Sequence, residues 1–287
     1  MKTPKNRDYS QFYQLRTLKE LLALPQADLL KSEIATMNLL CAQGLPGAEN
    51  IDAKDCLTKL DDLATRVRSE TERNFHRYAE NPAQFQYSTN YFRMVLMAVV
   101  LTEDFHVHYA KDKIGPSTAA RMGDGFFADA HDVFLHGLTG SNHAGTCSSL
   151  PVLQVAVGRR LGYPLKLVTT RGHLFVRWED ASERFNVEAA GIGVNRFSDD
   201  YYRHWPYETS EAEEHAEGYL KSLTPAQELA VFMSIRGMCW QEAGNFAEAA
   251  DAFEVASRLA PGVRAYSVMA KTTKLRQAQN RSSAAKN

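Results

Sequence analysis

The chain has 287 residues, of which 44% are hydrophobic and 23% are charged, an ordinary composition for a globular protein. Its 33 basic and 34 acidic residues leave a formal net charge of −1. This near balance argues against a nucleic acid or an anionic membrane surface as the main partner.

The cysteines and the apolar runs indicate the cellular compartment of the protein. The N-terminal sequence has basic residues without a following apolar stretch, and the longest apolar run, 94–101, is far shorter than the roughly 20 residues of a membrane helix. The four cysteines, Cys41, Cys56, Cys147 and Cys239, form no C-x-x-C pair. Such spacing fits neither a disulfide framework nor a zinc ribbon. We expect a cytoplasmic protein with reduced thiols, no cofactor and no bound metal.

Residues 9–110 are predicted to form helices, because apolar side chains recur there at helical spacing. A Gly-Leu-Pro-Gly break at 44–47 precedes an amphipathic helix that begins near Asp52, and a buried helix is predicted over 90–107. His106 and His108 would share one face of a strand. Two histidines without a third ligand are only a weak signal for zinc.

Residues 111–146 are rich in Gly, Asp and His and show little periodicity, as in a functional loop or lid. A helix is predicted from just after Cys147 to about Leu161, where Gly-Tyr-Pro ends it. Strands are predicted at 165–169, 173–179 and 184–189, with 180–183 as a hairpin loop between the last two.

Cys147 and His173 are the candidate nucleophile and base. A thiol attacks as its thiolate, a form that a helix N-terminus and a neighbouring histidine both stabilise. Cys147 directly precedes the predicted helix, and Pro151 places the start of the hydrogen-bonded part just after it. His173 opens the second strand. This order of helix, strand and histidine-bearing strand is the one that a papain-like or transglutaminase-like core needs.

The third member of such a site must accept a hydrogen bond from the imidazole. If 180–183 form a four-residue loop, Arg177 lies opposite Asn186, and Glu188 becomes the diagonal neighbour of His173. Asn186 is one step further away. We therefore favour Glu188 as the residue that orients His173, with Asn186 as the second candidate.

An oxyanion hole would use the backbone N–H of Cys147, with Asn142 or Ser141 as a side-chain donor. The plain alternative is that the thiol has no catalytic role, since a lone cysteine is often only a small buried hydrophobic residue.

The C-terminal part fits one 34-residue tetratricopeptide unit. The residues at the expected offsets are Gly237, Trp240, Gly244, Phe246, Ala249, Phe253, Ala256 and Pro261. About three units are needed for a free-standing array, so this unit must pack on the rest of the protein, with 263–279 as a capping helix. The alternative use of such a unit is a peptide-binding groove.

Four runs of sequence, GTCSSLPVL, GRRLGYPL, GHLFVRW and RFNVEAAG, resemble the bacterial transglutaminase-like superfamily. The resemblance is greatest to the SirB-type branch, which often joins this core to a C-terminal tetratricopeptide region. It covers roughly residues 30–265 and implies a papain-like core with a Cys-His-acid triad. Cys147 and His173 match the thiol and the base. Glu188 stands where many relatives have an Asp in an Asp-Pro turn, and this chain lacks that Pro.

The predicted fold is α+β: a papain/transglutaminase-like core, with a helix packed on an antiparallel sheet, flanked by N-terminal helices and a C-terminal tetratricopeptide-like helical hairpin. The corresponding regions are 1–110, 111–225 and 226–287. The resemblance implies cysteine acyl transfer or hydrolysis at an amide or ester bond. The alternative is a non-catalytic scaffold that binds a protein partner, because members of this branch often lack the cysteine. A protein or peptide is the expected substrate or partner, and the oligomeric state is left open.

Overall fold

The computed structural model of the protein describes residues 14–29, 31–113, 125–189 and 194–284. Several parts of the predicted regions lie outside these ranges: residues 9–13 and Leu30 of the helical region, 114–124 of the 111–146 segment, and Ala190 and Gly191 of the RFNVEAAG run. The described residues form many helices and two small sheets, an α+β fold.

The described residues of the N-terminal part are mainly helical, as the helical spacing predicts. Their α-helices are α1 (Leu18–Leu22), α2 (Gln26–Leu29), α3 (Ile34–Ala42), α4 (Ala53–Arg73), α5 (Phe75–Glu80) and α6 (Thr89–Val99). Asp52 caps α4 by accepting a hydrogen bond from the Asp55 N–H, so the start predicted near Asp52 is confirmed. The helix predicted over 90–107 is observed as α6 followed by a π-helical turn, Val100–Asp104.

The prediction that His106 and His108 share a strand face is wrong. Strand β1 comprises only His108–Tyr109 and pairs in parallel with β2, Ala144–Gly145. His106 has a φ of 54°, in the left-handed region, and lies before the strand. The chain turns there because the Val107 N–H bonds back to the Leu101 carbonyl at 2.9 Å.

The described part of the 111–146 segment is more ordered than predicted. It contains α7 (Ala130–Val133) and α8 (Leu135–Thr139), and residues such as Phe134 and Leu138 lie in the main core. The Asn38 side chain accepts a hydrogen bond from the Leu135 N–H at 2.9 Å. These helices are too short for a periodic signal, which explains why the sequence pattern missed them.

The larger sheet follows α9 (Leu150–Arg160) and has the order β3 (Leu165–Thr170), β4 (His173–Glu179), β5 (Arg184–Val187), all antiparallel. Arg177 lies opposite Asn186, which confirms the predicted hairpin register. The last strand is shorter than predicted. After Val187 the chain leaves β5, and the Glu188 N–H instead donates to the Asn195 carbonyl at 3.0 Å.

The two faces of the sheet pack against different elements. Leu174, Val176 and Trp178 belong to the main core, together with α9 residues. Phe175 points to the other face, where its ring stacks on Tyr202 with centroids 3.8 Å apart. Tyr202 belongs to α10 (Asp199–His204), so this helix covers the face on which β4 begins with His173.

The C-terminal part consists of α11 (Glu211–Glu217), α12 (Pro225–Glu242), α13 (Phe246–Leu259) and α14 (Arg264–Ala284). A Cβ atom at Gly237 would lie 2.5 Å from the Phe253 ring, so α12 and α13 approach as closely as the tetratricopeptide pattern predicts. The predicted capping helix is α14, which extends to Ala284.

The C-terminal hairpin packs on the rest of the chain, as expected for a single repeat unit. Arg236 on α12 donates hydrogen bonds of 2.8 Å to the Cys41 and Gln43 carbonyls at the end of α3. Arg159 on α9 and Glu228 on α12 form a two-pronged ion pair. Among the described helices, none is both long enough and apolar enough to cross a bilayer.

Candidate active site

Cys147 lies in a tight turn between β2 and α9. The Ser149 hydroxyl accepts from the Thr146 N–H at 3.0 Å and donates to the Asp132 carbonyl at 3.0 Å, which fixes the turn from both sides. A side chain at Gly145 would collide with this hydroxyl, because a Cβ atom there would lie 2.5 Å from it. The sequence therefore holds the Cys147 backbone in place immediately before the helix.

The backbone N–H of Cys147 has no hydrogen-bond acceptor within the described ranges. The next three N–H groups differ in this respect. Those of Ser149 and Leu150 donate to the Thr146 carbonyl, and that of Ser148 donates to the Thr146 hydroxyl. Among the described residues of this turn, the Cys147 N–H is thus the donor without a protein acceptor, which is the condition that an oxyanion-hole donor has to meet.

His173 and Glu188 are directly hydrogen-bonded, with 2.8 Å between Nε2 and Oε2. The Tyr202 hydroxyl donates to the same Glu188 oxygen at 3.2 Å, and the Trp205 ring meets the imidazole edge-on with centroids 4.7 Å apart. The His173 and Glu188 side chains are only 3% and 7% exposed. The carboxylate and the two aromatic rings therefore fix the plane of the imidazole.

The electrostatic surroundings favour a protonated His173. Burial acts to lower the pKa of His173, but the Glu188 carboxylate and a hydrogen bond with Cys147 outweigh it and raise this pKa to about 9. Glu188 binds Nε2, so Nδ1 is the ring nitrogen that Glu188 leaves available. The surroundings thus favour the imidazolium form of His173, which is the form that stabilises a neighbouring thiolate.

Asn186, the second candidate for orienting His173, lies in a different network. Its Oδ1 accepts from Arg177 Nε at 2.8 Å, and its Nδ2 donates to the Phe197 carbonyl at 3.0 Å and to Asp199 at 2.8 Å. The hairpin register explains this placement, because Asn186 lies directly opposite Arg177. Of the two candidates, the structure brings Glu188 to the imidazole and gives Asn186 to Arg177.

Ser141 and Asn142, the candidate side-chain donors of the oxyanion hole, do not lie at the site. Helix α8 ends at Thr139, and both residues belong to an exposed bend that precedes β2. Neither of them lines the cavity in which Cys147 lies. The open backbone N–H of Cys147 is the donor that the structure places there.

Cys147 and His173 line a cavity of about 190 Å³. It extends from the start of α9, past the ends of β3 and β4, to helices α12 and α14. The thiol and the imidazole are both buried, but they border a cavity next to the main core.

Two aromatic residues, Tyr202 and Trp205, hold His173 in place, and the sequence reasoning missed both of them. Both lie in the run YYRHWPY at 201–207. The signal that could have found them is the density of aromatic side chains in a segment without helical or strand periodicity. Such a cluster needs a partner surface, and here that surface is the outer face of β4.

Across the ranges that the structure covers, no group of three or more His, Cys, Asp or Glu side chains is placed to hold a metal ion. A comparison of the chain with models of protein families, with curated proteins and with solved structures finds no match. The chemistry of this site is therefore inferred from its own geometry.

Proposed function

We propose that this chain is a transglutaminase-like cysteine acyl-transfer protein or hydrolase that acts on an amide or ester bond through Cys147, His173 and Glu188. The observation that carries the proposal is the arrangement of the site: Glu188 binds His173 at 2.8 Å, and the His173 imidazole and the Cys147 thiol line the same cavity. The packing of α9 on an antiparallel sheet supports the papain-like core that the sequence resemblance implies.

In this mechanism the Cys147 thiolate attacks the carbonyl carbon of the substrate. The new carbon–sulfur bond leaves a negative oxygen, which accepts a hydrogen bond from the Cys147 N–H. His173 then protonates the leaving amine or alcohol as the carbon–nitrogen or carbon–oxygen bond breaks. Glu188 keeps the ring in position and stabilises its positive charge.

The resulting thioester is released in a second step. Water attacks the thioester carbon, His173 takes one proton from it, and the carbon–sulfur bond breaks, which releases a carboxylic acid and restores the thiolate and the imidazolium. In a transamidation, an amine would take the place of water. We favour hydrolysis, because transfer to an amine requires a site that keeps water out.

The proposal is tested by the rate at which iodoacetamide alkylates Cys147 at neutral pH. All four cysteines are buried, but Cys147 lines the cavity beside His173, and mass spectrometry of the labelled peptides distinguishes it from the other three. We expect His173→Ala to slow alkylation at least tenfold, because the imidazolium that stabilises the thiolate is lost. His204→Ala is the matched control, since this histidine is exposed and bound to Glu208 instead.

Equal alkylation rates in wild type and His173→Ala would refute the proposed pair. A second measurement uses p-nitrophenyl acetate and looks for a burst of p-nitrophenol and an acetylated Cys147. Cys147→Ala is expected to abolish both. If iodoacetamide alkylates Cys147 at the expected rate but no ester forms an acyl-enzyme, the non-catalytic scaffold is favoured instead. The exposed side chains of Val268 and Leu275 on α14 would then be the contact surface.

A further inference from the structure

The cavity beside Cys147 continues far beyond the residues that carry the proposed chemistry. Its near wall contains Cys147, Ser148 and His173. Its far wall is built by the C-terminal helices, α12 and α14, whose apolar side chains Val231, Ile235, Met238 and Met269 face it. The C-terminal hairpin therefore encloses the space next to the nucleophile.

Several polar side chains around this cavity already have hydrogen-bond partners within the protein. Glu217 accepts from the Ala265 N–H at the start of α14 at 2.8 Å. The Gln227 side chain caps the start of α12, and the Ser234 hydroxyl donates to the Val231 carbonyl at 2.8 Å. No Lys or Arg is found among the lining residues of the described chain. A negatively charged substrate group between α12 and α14 would thus lose its hydration without gaining a Lys or Arg partner.

We infer, on the basis of the proposed function, that the acyl group which Cys147 accepts is apolar and that α12 and α14 form its pocket. A cavity of about 150 Å³ lined by apolar side chains holds a benzene-sized group. The 190 Å³ available here thus suits an acyl group with roughly six to eight apolar carbons. The tetratricopeptide-like unit consequently selects the substrate through its inner face.

Two kinds of substrate could supply an apolar acyl group: a fatty acyl compound with a straight alkyl chain, or a peptide residue with a hydrophobic side chain. We therefore compare kcat/KM for p-nitrophenyl acetate, hexanoate and dodecanoate with that for the esters of N-acetylalanine and N-acetylphenylalanine. Burial in the pocket is expected to raise kcat/KM by about fourfold for each methylene from acetate to hexanoate. Dodecanoate exceeds the pocket and is expected to gain nothing more.

Met269→Trp tests whether the C-terminal helices form the pocket. Met269 lines the cavity from α14 and is only half-buried, so a larger side chain fills the space without crowding a sealed core. We expect this variant to lower the ratio of hexanoate to acetate activity at least tenfold. Leu275→Trp on the same helix is the matched control, because Leu275 is 65% exposed and should keep the wild-type ratio. Met269→Ala is expected to move the preferred chain length upward.

Each outcome separates this inference from the proposed function. If no ester acylates Cys147, the proposed function fails. If esters acylate Cys147 but the ratio of hexanoate to acetate activity is near one, or is the same in wild type, Met269→Trp and Met269→Ala, the apolar pocket is refuted while the catalytic assignment stands. A preference for N-acetylphenylalanine over hexanoate would assign the pocket to a peptide side chain. Because each ratio is measured within one variant, a partly unfolded sample does not affect it.

Discussion

At the residue scale, the proton on His173 links the site to the stability of the fold. The pKa of His173 is raised from 6.5 to about 9, since Glu188 and Cys147 together outweigh burial. A group that binds its proton more tightly in the folded state contributes stability that is fully present below pH 6.5. That contribution is lost as the pH rises through 9.

Glu188→Gln should remove much of this pH dependence. The amide keeps the size of the side chain but loses the charge that raises the pKa of His173, so this pKa should fall. Wild type should therefore lose more unfolding free energy between pH 6.5 and pH values above 9 than the variant does. Urea unfolding over this pH range measures the difference. Glu248→Gln, an exposed carboxylate on α13, is the control and should follow wild type. Identical slopes in wild type and Glu188→Gln would contradict the electrostatic account.

At the element scale, the features that the sequence predicts best are those determined by residues close together in the chain. A four-residue loop fixes the register of β4 and β5, and this register brings Glu188 rather than Asn186 to His173. The placement of Ser141 and Asn142 is different, because it depends on where α8 ends and on contacts from distant helices, such as the bond from the Leu135 N–H to Asn38. Periodicity in the sequence carries no information about such contacts.

The α12–α13 pair offers a direct test at this scale. Gly237→Ala would place a methyl group 2.5 Å from the Phe253 ring, so one of the two helices must shift. We expect a loss of about 1–3 kcal/mol of unfolding free energy, the usual cost of overpacking. Gly262→Ala is the matched control, since its added methyl group meets no atom within 4 Å. Thermal unfolding of both variants provides the comparison. Equal stability of the two would show that the hairpin tolerates a wider separation than its packing suggests.

At the scale of the whole molecule, the predicted regions 1–110, 111–225 and 226–287 share one large buried cluster. Leu60, Leu153 and Phe232 are members of it, one from each region. The candidate substrate cavity lies where the second and third regions meet. The sequence identifies the helices on either side of this cavity, but it does not indicate that they face each other across the thiol, because no local pattern encodes the packing of distant segments.

The Arg159–Glu228 pair should connect the stability of the C-terminal hairpin to that of the helix that follows Cys147. Glu228 is fully buried, and both of its oxygens accept from the Arg159 guanidinium, at 2.5 and 3.0 Å. Glu228→Gln removes the charge that compensates Arg159 and should cost about 3–5 kcal/mol of unfolding free energy. The double variant Arg159→Met, Glu228→Leu replaces both charges by apolar groups and should lose much less.

Chemical unfolding of wild type, the single variant and the double variant measures these free energies. If the double variant is as unstable as Glu228→Gln, the cost lies in packing. If only the single variant is unstable, the cost lies in the uncompensated charge, and the pair serves to fix the hairpin against the helix that carries the site.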